Sequence, residues 1–280
     1  MARENIRFPQ ALLFQGKDLK LTDYLSVRHP SYQDVLSLGD GVYSEELYWA
    51  YVQIILADPY ENMVWLDDRH MDYEEVSPFQ VFVLKWLESL EHQVRQLPPG
   101  LEADFSPESL VQGALSFFLG EHHFKIGQVD SIGTIIYAED DPRVCLDKDI
   151  YELFASFVKE LNCITYKDRI NPATKSAKRI LIEDTRDEQK KAARRKKPQE
   201  DSQSYLVSCA AAMVYGGVGG ITPFNYSELK LYPMIFGAMV VQKRMRVASM
   251  MNGIYTGMLD ASKLSEEDLR WTSVSRFFYF

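Results

Sequence analysis

Residues Asn62–Glu88 read NMVWLDDRHMDYEEVSPFQVFVLKWLE, and what this stretch encodes decides the character of the chain. It begins with apolar residues and a tryptophan. It then crowds Asp67, Asp68, His70, Asp72, Glu74 and Glu75 into a short span and runs into an amphipathic segment. Asp67, Asp68, His70 and Asp72 are oxygen and nitrogen donors of the kind a divalent cation uses. Their spacing matches neither an EF-hand loop nor an H-E-x-x-H helix. Ser77-Pro78-x-Gln80 is a helix start: serine can cap, proline suits the first helical position, and glutamine completes a capping box. Acids just ahead of such a start face the positive end of the helix dipole. The stretch therefore reads as a polar turn, anchored by Val64, Trp65 and Leu66, between two helical segments.

Working outward, the same local grammar recurs. Ser106-Pro107 opens a segment with Leu110, Val111, Ala114, Leu115 and Phe118 on one face. Asp147 opens another, with Ile150, Tyr151, Phe154, Phe157, Val158 and Leu161. Phe79, Phe82, Val83, Trp86, Leu87 and Leu90 form the stripe after Ser77, closed by Pro98-Pro99-Gly100. Pro30-Ser31 starts a short helix that Gly39-Asp40-Gly41 stops. Ser44 is the expected cap of the next, which carries Leu47, Tyr48, Tyr51, Ile54 and Ile55 and ends at Asp58-Pro59. Residues 10–29 read as a hairpin bending at Gly16-Lys17-Asp18. Residues 122–147 carry β-branched runs divided by Gly127, Gly133 and Asp141-Pro142, the pattern of a small meander. The expected fold is mainly α with a small β component (α+β): an N-terminal hairpin, a helical bundle, a short central meander and a C-terminal helical region.

Residues 174–198 break the composition. They hold ten Lys or Arg against four Asp or Glu, a local charge of +6 within a chain of −9, which leaves the remainder near −15. Ile180 and Leu181 are the expected apolar anchors of this solvated basic helix. The expected organisation is an N-terminal helical region over 1–165, a charged helix and linker over 166–204, and a C-terminal helical region over 205–280. In the last, Tyr205–Tyr215 is helical, a glycine-rich loop follows, and a second helix capped by Ser227 has Pro233 near its first turns, which predicts a delayed start or a kink.

The bulk numbers exclude several classes. A chain that is 46% hydrophobic over 280 residues can build a sizeable core. The net charge of −9 disfavours a protein whose main task is to cover nucleic-acid phosphates. Cys145, Cys163 and Cys209 form neither a C-x-x-C pair nor a zinc pattern, which reads as a reducing compartment. The least polar stretch, Leu206–Ile221, is interrupted by four glycines and is too broken to span a bilayer. The loop YGGVGGITPF lacks the lysine and the strand–helix context of a phosphate cradle, so no cofactor is expected. His122 and His123 are adjacent, and adjacent residues on a strand face opposite ways, which disfavours a shared metal. No nucleophile motif is present, so an enzyme is not the expected reading.

Interaction surfaces remain. The run KKAARRKK places Lys190, Lys191, Arg194, Arg195, Lys196 and Lys197 together. It is complementary to the acidic remainder of the chain or of a neighbouring copy; nucleic acid is a possible partner, as in a nucleic-acid-associated virion protein, but not the favoured one, since the run lacks the aromatics that would stack on single-stranded bases. The C-terminal aromatics Phe277, Phe278, Tyr279 and Phe280 would be a liability if left bare. Met239 and Met250 belong to a methionine-rich set suited to an adaptable apolar surface. These twelve residues are the candidate partner-binding set.

Three stretches carry a resemblance: LSVRHPSYQDVLSLGDGVY over 25–43, MVWLDDRHMDYEEVSPFQVF over 63–82, and MMNGIYTGMLDASKLSEEDLRW over 250–271. Together they resemble a group of tailed-bacteriophage proteins from Firmicutes-type phages, encoded among head–tail and tail-assembly genes. The resemblance implies a mostly helical, non-enzymatic morphogenesis protein, foremost a tail-assembly chaperone that holds an apolar tape-measure protein while tail-tube subunits add. It implies tail proteins or other copies of the chain as partners, and the host cytoplasm, or the virion, as location. A virion structural role in the connector or tail is the alternative. A metal-dependent enzyme using the Asp67–Asp72 cluster is a further one.

Overall fold

In the computed structural model the described residues are 8–41, 43–91, 107–130, 133–165, 169–194, 204–216 and 219–260. They are mainly α-helical with two small antiparallel sheets, as the sequence predicts. They fall into two compact units, one within residues 1–202 together with Lys230–Tyr232, the other within 203–229 and 233–280.

The first unit is organised around α7 (Lys148–Leu161), whose cap is Asp147: its carboxylate accepts from the Ile150 N–H at 2.9 Å. Tyr151, Phe154, Phe157, Val158 and Leu161 are all fully buried on one face. Against it pack α3 (Ser44–Leu56) and α5 (Pro78–Glu91), while α6 (Pro107–Leu119) packs on both of these. The rings interlock, Phe118–Phe154 edge to face at 6.0 Å, and Phe82–Tyr151 at 4.9 Å and Tyr48–Phe118 at 6.3 Å tilted. Two buried tyrosine hydroxyls cross-link the bundle. Tyr48 donates to Asn162 Oδ1 at 2.7 Å, and Tyr151 donates to the Ile55 carbonyl at 2.7 Å. Burial pushes both phenols far above the ordinary tyrosine pKa, so they act only as neutral donors. Gly113 lets α6 close on α3, because a Cβ there would meet the Tyr51 hydroxyl at 2.3 Å.

The start signals hold with small shifts. The Ser77–Gln80 box is formed in both directions, at 2.8 and 3.2 Å. Ser31 and Asp34 form another at the head of α2 (Tyr32–Leu36). Ser44, the expected cap, is instead the first residue of α3, and Tyr43 occupies the cap position in a left-handed conformation (φ 54°). Leu87 and Leu90, expected on the buried stripe of α5, are exposed, because the helix turns them away from α6 and α7. Pro98-Pro99-Gly100 and Ser106 lie outside the described residues.

The N-terminal hairpin is smaller than expected. Residues 10–14 form α1 (Gln10–Phe14), since Ala11-Leu12-Leu13 is a consecutive apolar run and not an alternating one. The hairpin pairs only β1 (Leu19–Lys20) with β2 (Ser26–Val27), and its turn lies at Thr22–Tyr24 instead of at Gly16. The meander is present: β3 (Phe124–Val129), β4 (Gly133–Ala138) and β5 (Cys145–Leu146) follow one another in an antiparallel sheet. The Gln112 side-chain amide pairs with both the N–H and the C=O of Phe124, tying the edge of this sheet to α6. His122 and His123 go to different carboxylates, Asp140 and Glu139.

In the second unit, α9 (Tyr205–Tyr215) is capped by Ser204 and packs on α10 (Leu231–Tyr255) at two close approaches. A Cβ at Gly237 would meet Met213 Sδ at 2.6 Å, and one at Gly216 would meet Val241 Cγ1 at 2.4 Å. Ser227, the expected cap, lies in a 3-10 turn, Tyr226–Glu228. The helix starts late, at Leu231, with Pro233 in its first turn where a missing N–H costs nothing.

Lys230–Tyr232 belongs to the first unit. Lys230 pairs with Ser31 in an antiparallel bridge and donates its ammonium to the His29 carbonyl at 2.6 Å, and the Leu231 N–H reaches Pro30 O. His29 is completely buried beside Phe157, and its ring nitrogens have no hydrogen bond of ordinary geometry. Burial lowers its pKa, and the Lys230 charge lowers it further. The unfolded chain therefore binds a proton below pH 6.5 that the folded chain refuses. The urea midpoint of the first unit should be flat above that pH and fall as pH drops below it, while His29→Leu should flatten the fall between about pH 7 and 5.

Candidate functional site

The acidic turn of residues 67–75 meets the basic helix. It is held between α4 (Met63–Asp67) and α5, with His70 in a left-handed conformation (φ 58°) reversing the chain. Met63, Val64 and Leu66 are buried; Trp65 is half-buried. Its indole N–H donates to Glu88 at 3.1 Å, and the Arg69 guanidinium lies 4.0 Å over its ring and pairs with the same Glu88. This three-residue brace sets the position of α4 on α5.

Over the turn lies α8 (Lys175–Arg194), the basic segment, which packs on α4 and belongs to the first unit. Lys178 sits between Asp72 and Glu74 (2.7 Å to the latter) and 4.5 Å over the Tyr73 ring. Two turns along, Arg186 bridges Asp67 at 2.9 Å and Asp68 at 2.6 Å. Between them Ile182 is buried, and Thr185 reaches Met63. Positions 178, 182 and 186 share one helical face. Ile180, an expected anchor, is exposed; Ile182 does its work, because 180 lies on the opposite side of the helix from the two contact cations. Some burial of Asp72 works against its charge, but the Lys178 hydrogen bond brings its pKa below the ordinary carboxylate value. Lys178 is correspondingly held above the usual lysine value.

Four acids of the opening stretch thus have cation partners from α8. Among the described residues no group of three or more His, Cys, Asp or Glu is arranged to hold a metal. No helix there is long and apolar enough to cross a membrane.

The candidate partner-binding residues scatter. Lys190 and Lys191 lie exposed near the end of α8, where Lys190 reaches Asp187 at 3.5 Å. Arg194 is the last residue of that helix. Met239 and Met250 are half-buried on α10. Arg195, Lys196, Lys197, Phe277, Phe278, Tyr279 and Phe280 lie outside the described residues.

Two surfaces emerge that sequence reasoning does not single out. The first is a groove of about 760 Å³ in the first unit, bounded by α3, α4, α5 and α6. Ile54, Phe82, Trp86, Leu110 and Val111 line its floor, and Trp86 carries an indole N–H without a hydrogen-bond partner. Its rim carries Asp58, Glu61, Asp68 and Glu88 against Arg69 and Lys85. The second surface is in the other unit, where large apolar side chains face outward: Phe224 is 95% exposed, Met258 85%, Tyr215 and Tyr255 79% each. Phe224 is presented by a built turn, in which Asn225 Oδ1 accepts from Thr222 N at 2.7 Å and its amide donates to Gly220 O at 2.9 Å. The sequence signal for this second surface is that α9 contains no charged residue and α10 no acidic one.

No protein-family model, no characterised protein and no solved structure matches the chain.

The ion pairs over the turn are partly exposed and therefore weak one by one and open to salt screening. Lys178→Ala with Arg186→Ala should speed amide exchange throughout α8 by roughly tenfold while α3, α5 and α7 stay protected. Raising salt from about 0.1 to about 1 M, which shortens the screening length from about 10 to about 3 Å, should do the same to the unaltered protein. Neutralising Lys190 and Lys191 should leave that exchange unchanged.

Proposed function

We propose that this chain is a bacteriophage morphogenesis protein that works by protein–protein contact, in tail assembly, as a chaperone for an apolar tape-measure protein in the host cytoplasm. The observation that carries the contact-based part is the outward-facing apolar set of the second unit, with Phe224, Tyr215, Tyr255 and Met258 standing in solvent. Exposed apolar surface of this extent marks sites of association. An apolar helix released from such a surface during tube growth needs contacts that are numerous and individually weak, which aromatic and methionine side chains supply. The tail-assembly part rests on the resemblance of residues 25–43, 63–82 and 250–271.

A virion structural role in the connector or tail is the second reading, and it uses the same apolar surface permanently instead of transiently. The metal-enzyme reading draws little support from the geometry, since Asp67, Asp68 and Asp72 are each engaged by Arg186 or Lys178.

Co-expression with the tape-measure protein of the same phage is the test. That protein should move from the insoluble to the soluble fraction and co-purify with this chain. Phe224→Ser with Tyr255→Ser should weaken the complex by about tenfold or more without changing the thermal melt. Stoichiometric presence in purified virions would replace the chaperone with the structural component. A metal-dependent activity abolished by Asp67→Ala and Asp68→Ala in a folded protein would replace both with the enzyme.

A further inference from the structure

Lys230–Tyr232 is a short strap on the first unit, and its contacts converge on residues 29–31. Lys230 bridges Ser31 and donates its ammonium to the His29 carbonyl at 2.6 Å, and the Leu231 N–H donates to Pro30 O at 3.1 Å. The Lys230 side chain passes directly over Gly16, which sits at φ 64°: a Cβ there would meet Lys230 Cγ at 2.5 Å. Leu231 and Tyr232 are buried, the latter edge to face with Phe14 at 5.2 Å. The residue that this strap grips by its carbonyl is itself unusual. His29 is completely buried, 6.4 Å from the Phe157 ring of α7, and neither of its ring nitrogens has a hydrogen-bond partner. The Leu13 and Pro30 carbonyls lie near the ring, outside hydrogen-bonding geometry. Few charges surround it. Lys230 faces it from the strap, and Asp18, after α1, accepts from its backbone N–H at 2.8 Å. Arg28 is paired with Asp34 of α2 at 2.7 Å. From α7 comes the uncharged Phe157, with Glu160 and Cys163 lying by Tyr232, and α1 carries no charged residue.

We infer that Lys230–Tyr232 is an acid-opened latch with His29 as its trigger: a proton on the buried imidazole releases the strap while the bundle of α3, α5, α6 and α7 stays folded. That proton makes a second cation on the residue whose carbonyl already holds the Lys230 ammonium. No carboxylate is hydrogen-bonded to the ring to offset the charge, and burial denies it water. The strap gives way first because little holds it: one isolated bridge, one backbone hydrogen bond and one ammonium. By contrast, α7 is fixed by a fully buried face and by the Tyr48 and Tyr151 hydroxyls. The sign follows from linkage. With the strap closed the ring resists its proton; with the strap released it titrates at the ordinary value of 6.5. Opening is therefore favoured progressively below that pH and is indifferent to pH above it. The latch lies within one chain, so it stands or falls apart from the association proposed above.

The test is amide exchange of the full chain by NMR, from about pH 7.5 to about pH 5, corrected for intrinsic exchange and read beside the His29 ring resonance. Opening at the Leu231 N–H should be constant above about pH 7 and should rise by up to about tenfold per pH unit below 6.5. At every pH the buried amides of α3 and α7 should exchange at least about tenfold more slowly than Leu231, the mark of a local opening. His29→Leu should keep its protection at Leu231 and lose the pH dependence. Lys230→Met should raise opening at neutral pH and, with the second cation gone, make the rise on acidification shallower. A ring that titrates while Leu231 stays protected would show that the closed strap tolerates the proton, and would overturn the inference. So would a pH-independent opening in the unaltered chain, an acid-driven opening that survives in His29→Leu, or Leu231 exchanging only together with the core. If His29→Leu melts early, Lys230→Met decides: a rise as steep as that of the unaltered chain overturns the inference, and a shallower one upholds it.

Discussion

The first unit depends on α7 being held against α3 by two hydrogen bonds from buried tyrosines. Tyr48 reaches Asn162, and Tyr151 reaches the carbonyl of Ile55. Each joins residues far apart in the chain, and each satisfies a hydroxyl that would otherwise cost about 1–3 kcal/mol to bury. Asn162 is itself kept in place by donating to Val158 O at 2.9 Å. With α3 and α7 locked in register, the surrounding rings have one way to fit, and α5 and α6 close the bundle over them. The placement of α5 then fixes α4 through the Trp65–Glu88–Arg69 brace, and α4 presents the acidic turn to α8.

That last step changes what the net charge means. A chain of −9 with a strongly basic segment looks like two opposed regions, yet much of the opposition is settled inside the first unit. Lys178 and Arg186 are committed to the acids of residues 67–74. Among the described residues of α8 only one aliphatic side chain, Ile182, is well buried beside them, so this helix is attached chiefly by charge and the rest of the bundle by apolar area. The two kinds of attachment respond differently to solution conditions, since salt screens the first and leaves the second intact.

The second unit follows another logic. Its two helices approach closely at Gly216 and Gly237, while Tyr205, Val207 and Tyr215 of α9, Phe224 beside Asn225, and Met245 and Tyr255 of α10 stay exposed. A surface of this kind costs solubility unless another molecule covers it. The proposed chaperone role gives it such cover.

The sequence by itself determined the elements whose causes lie within a few residues. The Ser77–Gln80 box, the Asp147 cap, the one-sided face of α7 and the glycine-divided meander were legible because capping and amphipathicity are local. It also determined that the acids of residues 67–75 precede a helix start. Only the tertiary structure decided which cations those acids meet, and that Ile182 and not Ile180 anchors the basic helix. It alone decided that Leu87 and Leu90 face solvent, and that Ile54, Trp86 and Leu110 line a common groove. The physical reason is the same throughout. A cap or a stripe is written in a window of roughly four to eleven residues, whereas an ion pair or a groove joins segments remote in the chain, and their meeting is arranged by the packing of α3, α5, α6 and α7.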